Sequence, residues 1–357
     1  MQLGKPVPAS YKPASRMRIL FADDSIAFDG FSPSSQPLGG PEKAFAHLPT
    51  ALAQRGHQVE VFNRCTFPVT VEGARWETWT AQRPAETDVM VAFRRPDLLE
   101  FVHAARRVLW FTGDATTLDD PGPRAMLERV RPKVIFFSFA ERERWANPLG
   151  LDTAVCSPGI AGAYLGDDAA DPAAPPRAVT TTHPQADLDW LLRVWGERIR
   201  PAVADAELHV YSALLYRGRI GGVVPDAVKP VLDLALGMAD RGVVIQRPQS
   251  DPQMAAAYRA ARVHLYPGQP GDGWGATLQE SQAAGLPGVA RTACPAALLR
   301  IINGQTGSVC GEDSSFAAAA IEYLSDRVSF DRCAGNARTL QRGRTWQVAA
   351  AEFEALL

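Results

Sequence analysis

Short apolar runs alternate with helical patterns along this chain in two series, and an Asp/Ala/Pro-rich stretch separates them. This alternation constrains the fold most. Strand, helix and strand in succession build parallel βαβ units, whose strands are covered on both faces and so read as continuous apolar runs. In the first series the runs predict strands at Met17–Ala22, Gln58–Phe62, Val89–Phe93, Val108–Phe111, Val134–Ser138 and Thr153–Cys156. A helical pattern through Ala44, Phe45, Leu48, Leu52 and Ala53 starts at Pro41 and ends at Gly56, with Pro49 expected to kink or interrupt it. A further helix is expected over Leu98–Ala105, bracketed by Arg94-Arg95 and Arg106-Arg107. The second series predicts strands at Ala178–Thr182, Glu207–Tyr211, Val243–Gln246, Val263–Tyr266 and Pro287–Ala290. Helices are expected over Leu188–Ile199, Ala227–Ala239 and Pro252–Ala260, and over most of Phe316–Leu357.

The expected organisation is therefore α/β with two Rossmann-like domains, at 17–164 and 178–340, joined by a linker over 165–177. A terminal helix over 341–357 is free to return to the N-terminal domain, and residues 1–16 read as a loose extension with no apolar h-region. A net charge of −2 gives no global drive toward nucleic acid, and no apolar run reaches the ~18 residues a bilayer span needs. The five cysteines, at 65, 156, 294, 310 and 333, are widely spaced without CxxC, as expected of buried reduced thiols in a cytoplasmic protein. The six histidines show no metal-ligand spacing, no GxSxG elbow occurs, and the absence of GxGxxG argues against a dehydrogenase. The two Arg pairs read as a solvated surface, with peripheral contact to a membrane or an anionic acceptor as the second reading.

The run from Asp272 to Pro287 (DGWGATLQESQAAGLP) carries the chemistry. Gly273 and Gly275 suit a backbone that approaches a ligand closely or takes positive φ. Ala276–Ala284 contains no breaker, and Gly285 sits where a C-cap belongs. A glycine turn feeding a helix start aims free N–H groups and partial positive charge at one point, a geometry that holds phosphate. Glu280, one turn into the helix, is placed to accept from paired hydroxyls such as those of a ribose. His183 follows a predicted strand at the carboxyl end, where ligands bind in open α/β sheets.

These residues resemble the donor-sugar motif of the family-four retaining glycosyltransferases of the GT-B fold, the glycosyl transferases group 1. Their pattern is Glu, seven residues, Glu, with Gly-Phe-Gly after the first acid. Here Asp272 replaces the first Glu, Trp274 replaces Phe, and Glu280 is kept. Asn303-Gly304-Gln305-Thr306-Gly307 is similar to the family's D/N-G-x-T-G turn. Leu38-Gly39-Gly40-Pro41-Glu42, with Leu52 through Gly56-His57-Gln58-Val59, looks like its GG-x-E and L-x-x-x-G-H-x-V signatures.

The resemblance implies two Rossmann-like halves facing across a cleft, and transfer of a sugar from a nucleotide-diphosphate sugar with no cofactor and no metal. It implies Asp272 against the transferred sugar as the catalytic carboxylate, and a donor set of Gly39, Gly40, Arg247, Gly273, Trp274, Gly275, Thr277 and Glu280. Acceptor groups are expected near Ser34–Leu38, Thr112 and Asp114, with His183 a further candidate. The acceptor would be a glycan, a lipid-linked sugar or a small molecule. The leaving phosphate itself takes the acceptor proton in the mechanism implied, so no protein base is named. The chain departs from the family in three places. After the first strand of the second domain it carries Thr181-Thr182-His183 where relatives carry an Arg and a Lys, and Lys229 is the only lysine after Lys133. Arg247, Arg217 and Arg219 are the available substitutes. Thr112-Gly113-Asp114 stands where relatives often carry a His, and Asp272 is one methylene short. Two rival classes follow from these departures: a catalytically degenerate binding or scaffold protein, and a nucleotide-sugar hydrolase or epimerase.

Overall fold

The computed structural model describes residues 16–166 and 172–357. The extension expected over 1–16 lies outside them except for Arg16, as do residues 167–171 of the expected linker. The chain forms two compact units, one running to Gly159 and completed by Arg344–Leu357, the other Ile160–Gly343.

The N-terminal unit is an eight-stranded sheet of β1 (Arg18–Ala22), β2 (Gln58–Asn63), β3 (Val69–Val71), β4 (Ala74–Thr78), β5 (Glu86–Phe93), β6 (His103–Phe111), β7 (Lys133–Phe136) and β8 (Thr153–Val155), in the order β3-β4-β2-β1-β5-β6-β7-β8. All neighbours are parallel except β3 and β4. β1 is central: Ile19, Leu20, Phe21 and Ala22 are all buried, because helices cover both faces. The helix Gly40–Gln54 buries Ala44, Phe45, Leu48, Ala51 and Leu52 along one stripe and ends at Gly56, whose φ of 101° suits only glycine well. Pro49 lies inside this helix, so of the two outcomes expected, a kink or an interruption, the helix is not interrupted. Burial of Phe45, Leu48 and Leu52 on either side of the proline offsets the lost backbone bond.

Two further features of this unit differ from the sequence reading. No helix covers Leu98–Ala105: a single 3₁₀ turn, Pro96–Glu100, leads into β6, whose first half contains Arg106 and Arg107. In the outer half of β6 His103, Ala105 and Arg106 are exposed, so its polar residues concealed the strand. The β3–β4 hairpin was not anticipated, although Val69-Thr70-Val71-Glu72-Gly73-Ala74-Arg75-Trp76 alternates as a strand pair should. Its two-residue turn puts Glu72 at φ 45° and Gly73 at φ 94°, the positive-φ pair that a tight hairpin needs. The helix Trp346–Leu356 completes the unit by packing on Gly40–Gln54. It seats Phe353 with ring centroids 6.4 Å from Phe21 and 5.6 Å from Trp110. Glu354 pairs with Arg55 and lies 3.6 Å from His57.

The C-terminal unit is a six-stranded, all-parallel sheet of β9 (Arg177–Thr180), β10 (Glu207–Tyr211), β11 (Val243–Gln246), β12 (Val263–Tyr266), β13 (Gly288–Arg291) and β14 (Gly307–Cys310), in the order β11-β10-β9-β12-β13-β14. One face packs Trp195, Leu208, Val210, Leu265, Phe316 and Leu324 in its core, and the other packs Ile160, Tyr164, Met254, Tyr258, Leu286 and Phe330. All five cysteines are free and buried. No described helix is long and apolar enough to cross a membrane.

Candidate functional site

Each sheet reverses its strand order, and most of the candidate residues, though not Arg247, lie at those reversals. In the C-terminal unit the chain leaves β9 toward β10 and leaves β12 toward β13, so the order switches between β9 and β12. The space beyond the carboxyl ends of such strands is where open α/β sheets hold ligands. Here it is bounded by the loop from Thr181 to Asp187 and by the glycine turn that feeds the helix Ala276–Ala283.

The glycine turn is built from its own residues. Gly275 stands at the helix N-cap with φ 65° and ψ 54°. A Cβ there would lie 2.8 Å from the Cβ of Ala296, so both conformation and space require glycine. Asp272 accepts from the Gly275 N–H at 3.0 Å through Oδ1 and from the Tyr266 hydroxyl through Oδ2. Both carboxylate oxygens of the predicted catalytic residue are thus engaged, one within the turn and one by the end of β12. Burial, and then the Asp272 carboxylate, hold the Tyr266 phenol well above its ordinary pKa. The N–H groups of Ala276, Thr277 and Leu278 fall in the first turn, which has no intrahelical acceptors. The helix ends on Gly285 at φ 88°, with Leu286 N–H bonded to Ser281 O at 2.9 Å, a Schellman closure. Gly273 and Trp274 are buried in the turn, and the Trp274 carbonyl accepts from Arg300 Nε at 3.0 Å.

Glu280 is half-buried one turn into the helix. Burial, and then the Glu280 carboxylate, raise the Tyr164 and Tyr258 phenols, which sets those rings near it. The Thr181 hydroxyl donates to Thr277 Oγ at 2.8 Å and lies 3.2 Å from Nε2 of His264. On the other side of the ring, His264 Nδ1 lies 2.8 Å from Ser281 Oγ, which is 3.0 Å from Leu278 O. His264 is fully buried, and burial lowers its pKa to about 3, so the imidazole is neutral. The sequence reading missed Thr181, His264 and Ser281. Thr180-Thr181-Thr182 at a strand end was the available signal, but its partners lie far along the chain.

Other predicted residues fall outside this cluster. His183 is exposed in the β9 loop, and its Nδ1 accepts from Gln185 N–H at 3.2 Å. Arg247 is exposed just past β11, the edge strand. Three strand spacings separate β11 from β12, roughly 14 Å. Arg219 donates to Ile245 O at 2.6 Å, a structural contact. The turn Asn303–Gly307 braces the helix: Gln282 Nε2 reaches Thr306 at 3.4 Å, and Gln341 Nε2 donates to Gln282 Oε1 at 2.9 Å.

In the N-terminal unit the order switches between β1 and β5. A cavity of about 280 Å³ opens there, lined by Asp23, Ser25, Arg94, Arg95, Thr112 and Asp114 among others. Asp23 is 2% exposed and accepts from Ser25 Oγ at 2.8 Å and Asn63 Nδ2 at 2.9 Å; burial raises its pKa. Thr112 donates to buried Glu141 at 2.6 Å, and burial raises the Glu141 carboxyl as well. Asp114 caps the next turn, accepting from Thr116 N–H at 3.2 Å. Arg94 holds a left-handed φ of 62° and bonds Glu42 at 3.0 Å. Glu42 in turn curls back on Gly39, where a Cβ would meet its carboxylate at 2.4 Å. A side chain at Gly39 would displace the Glu42 carboxylate that pairs with Arg94, and Gly40 opens the helix behind it. No group of His, Cys, Asp and Glu able to hold a metal occurs among the described residues.

Two parallel-sheet Rossmann-like units in one chain make this fold that of the GT-B glycosyltransferases. Residues 178–326, which contain the whole of the glycine turn and its helix, match the family model described as Glycosyl transferases group 1. Similar solved structures include a sucrose-phosphate synthase from Thermosynechococcus elongatus, at TM-score 0.68 and 15% identity over 96% of this chain and 98% of that one. WaaG, a glycosyltransferase involved in lipopolysaccharide biosynthesis, matches at 0.64 and 14% over 95% and 99%. HepE from Anabaena, in complex with UDP-glucose, matches at 0.67 and 15% over 96% and 100%. Likeness at such identity is one of fold. No curated protein matches the sequence.

Proposed function

We propose that this chain is a glycosyltransferase that transfers a sugar from a nucleoside-diphosphate sugar with retention of anomeric configuration. One observation carries the reading. The glycine turn and helix start stand at the strand-order reversal of the C-terminal sheet, inside the residues that match the Glycosyl transferases group 1 model. On this reading the N–H groups of Ala276, Thr277 and Leu278 receive the diphosphate, aided by the helix dipole. Glu280 accepts from the ribose hydroxyls, and Asp272 touches the transferred sugar. The N-terminal cavity with Thr112 and Asp114 takes the acceptor. The bond from the anomeric carbon to phosphate breaks as the acceptor oxygen attacks, and the departing phosphate oxygen takes the acceptor proton. No role is assigned to Arg247.

HepE is described with UDP-glucose, which makes that the first donor to test. Thermal shifts against UDP, GDP, ADP and dTDP and their sugars, beside Glu280→Ala, provide the test. A ligand at 100 times its Kd adds about 2.7 kcal/mol. One nucleotide shifting the wild type and not the variant supports the reading, and a flat panel refutes it.

A second reading, a binding protein on a degenerate fold, is favoured by the engagement of both Asp272 oxygens. It predicts the nucleotide shift without sugar release or transfer. Release of free sugar with no acceptor present identifies a hydrolase instead.

A further inference from the structure

The chain Thr277–Thr181–His264–Ser281 can be arranged in only two ways, because each hydroxyl has one hydrogen and the neutral imidazole has one N–H. With the proton on Nδ1, His264 donates to Ser281, Thr181 donates to Nε2, and Thr277 must donate inward to Thr181. Its hydrogen is then used inside the protein. With the proton on Nε2, His264 donates to Thr181 and Thr181 donates to Thr277. Ser281, 2.8 Å from Nδ1, then turns its hydrogen to the ring and gives up its bond to Leu278 O. Thr277 keeps its own hydrogen for an acceptor outside the chain. The 2.8 Å from Thr181 Oγ to Thr277 Oγ suits this second arrangement and the 3.0 Å from Ser281 Oγ to Leu278 O suits the first, so the heavy-atom distances accommodate both and a bound anion decides between them.

We propose that Thr181 and His264 are positioning residues for a diphosphate at the start of the helix Ala276–Ala283: they hold the Thr277 oxygen as an acceptor within the protein, so that its hydroxyl donates outward to a phosphate oxygen. The inference rests on the nucleotide-sugar reading above and adds to it the device that orients a neutral donor where relatives carry a fixed cation. An anion favours this arrangement, since a hydrogen bond to a charged acceptor is roughly twice as strong as the neutral bond given up. Both arrangements hold the same number of protons, so the selection is of tautomer and not of charge. His264 is 0% exposed, so solvent does not compete for either ring nitrogen.

The test is the ¹⁵N spectrum of the histidine rings with the protein saturated by whichever of UDP, GDP, ADP or dTDP binds. The expected result is His264 protonated on Nε2 and not on Nδ1. Alongside it, Thr181→Val is expected to raise the Kd for the nucleoside diphosphate about tenfold, the loss of one oriented bond to a charged group. Binding of the matching nucleoside should be unchanged, and Thr181→Ser should restore diphosphate binding. A generally weakened site would lower both affinities together. Nδ1 protonation in the bound state, or a Val variant that binds the diphosphate as the wild type does, overturns the inference while leaving the nucleotide-sugar reading intact. Failure of every nucleoside diphosphate to bind the wild type overturns both.

Discussion

Gly275 and Gly304 offer a controlled comparison, because both hold similar left-handed backbones in different surroundings. Their φ values are 65° and 74°. A Cβ at Gly304 meets nothing within 4 Å, whereas one at Gly275 lies 2.8 Å from the Cβ of Ala296. Gly304→Ala therefore carries only the left-handed penalty, about 1–2 kcal/mol. Gly275→Ala carries the same penalty and an overpacking cost of about 1–3 kcal/mol, since carbon atoms prefer separations of about 3.5–4.0 Å. For domains of this size each kcal/mol lowers the melting midpoint by roughly 2–4 °C. The excess loss for Gly275→Ala over Gly304→Ala is then roughly 2–12 °C. Adding Ala296→Gly removes the opposing methyl and should recover most of that excess, less about 0.5–1 kcal/mol for a helical glycine. Thermal unfolding of the three variants by circular dichroism, with a denaturant titration to fix the free energies, reads out the comparison. Equal midpoints for the two single variants, or no recovery in the double variant, would refute the reasoning that close approach, beyond positive φ, dictates glycine at this turn.

Three further outcomes are expected. His264 has a folded pKa lowered to about 3 from 6.5, so the unfolded chain binds a proton that the native unit does not. The stability it contributes is present above pH 6.5 and is lost as pH falls toward 3; between pH 7 and pH 5 the wild type should lose about 2 kcal/mol more than His264→Gln in denaturant titrations. Glu141 is raised by burial, so its carboxyl stabilises the fold when protonated and loses that contribution as pH rises through its folded value. The stability of Glu141→Gln relative to wild type should thus improve from pH 4 to pH 7, and a falling difference would contradict the assignment. Phe353→Ala should cost the N-terminal unit about 3–5 kcal/mol, measured by urea unfolding, because it empties a buried site between Phe21 and Trp110.

The central parallel strands were legible because they are buried on two faces and written in apolar residues: Ile19 to Ala22 and Val263 to Tyr266 leave little alternative, whereas β14, half-buried at Ser308 and Val309, and β4 were not anticipated. β6 was misread where it runs beyond its covered portion, since Ala104-Ala105-Arg106-Arg107 carries neither period clearly. The helix from Ala276 was legible from Gly275 and Gly285, which punctuate it at both ends. The hydroxyl–imidazole chain beneath it was not. Thr181 meets Thr277 at a sequence separation of 96 and His264 at 83, and only the placing of β9 beside β12 brings them together. Asp272 was read by its spacing from Glu280, and spacing says nothing about Tyr266, which occupies one of its oxygens.

The return of Trp346–Leu356 to the N-terminal unit has a consequence during synthesis. A ribosome delivers β1 through β8 long before it delivers the helix that seats Phe353. At about 5–20 residues per second, the first unit waits roughly 10–40 s, while the whole second unit is translated, with the side of Phe21 and Trp110 that Phe353 will cover still open. The unit encoded first is therefore the one finished last. A chain cut short at residue 343 would retain every residue of the second unit and lack the helix that finishes the first, leaving Phe21 and Trp110 without the cover of Phe353.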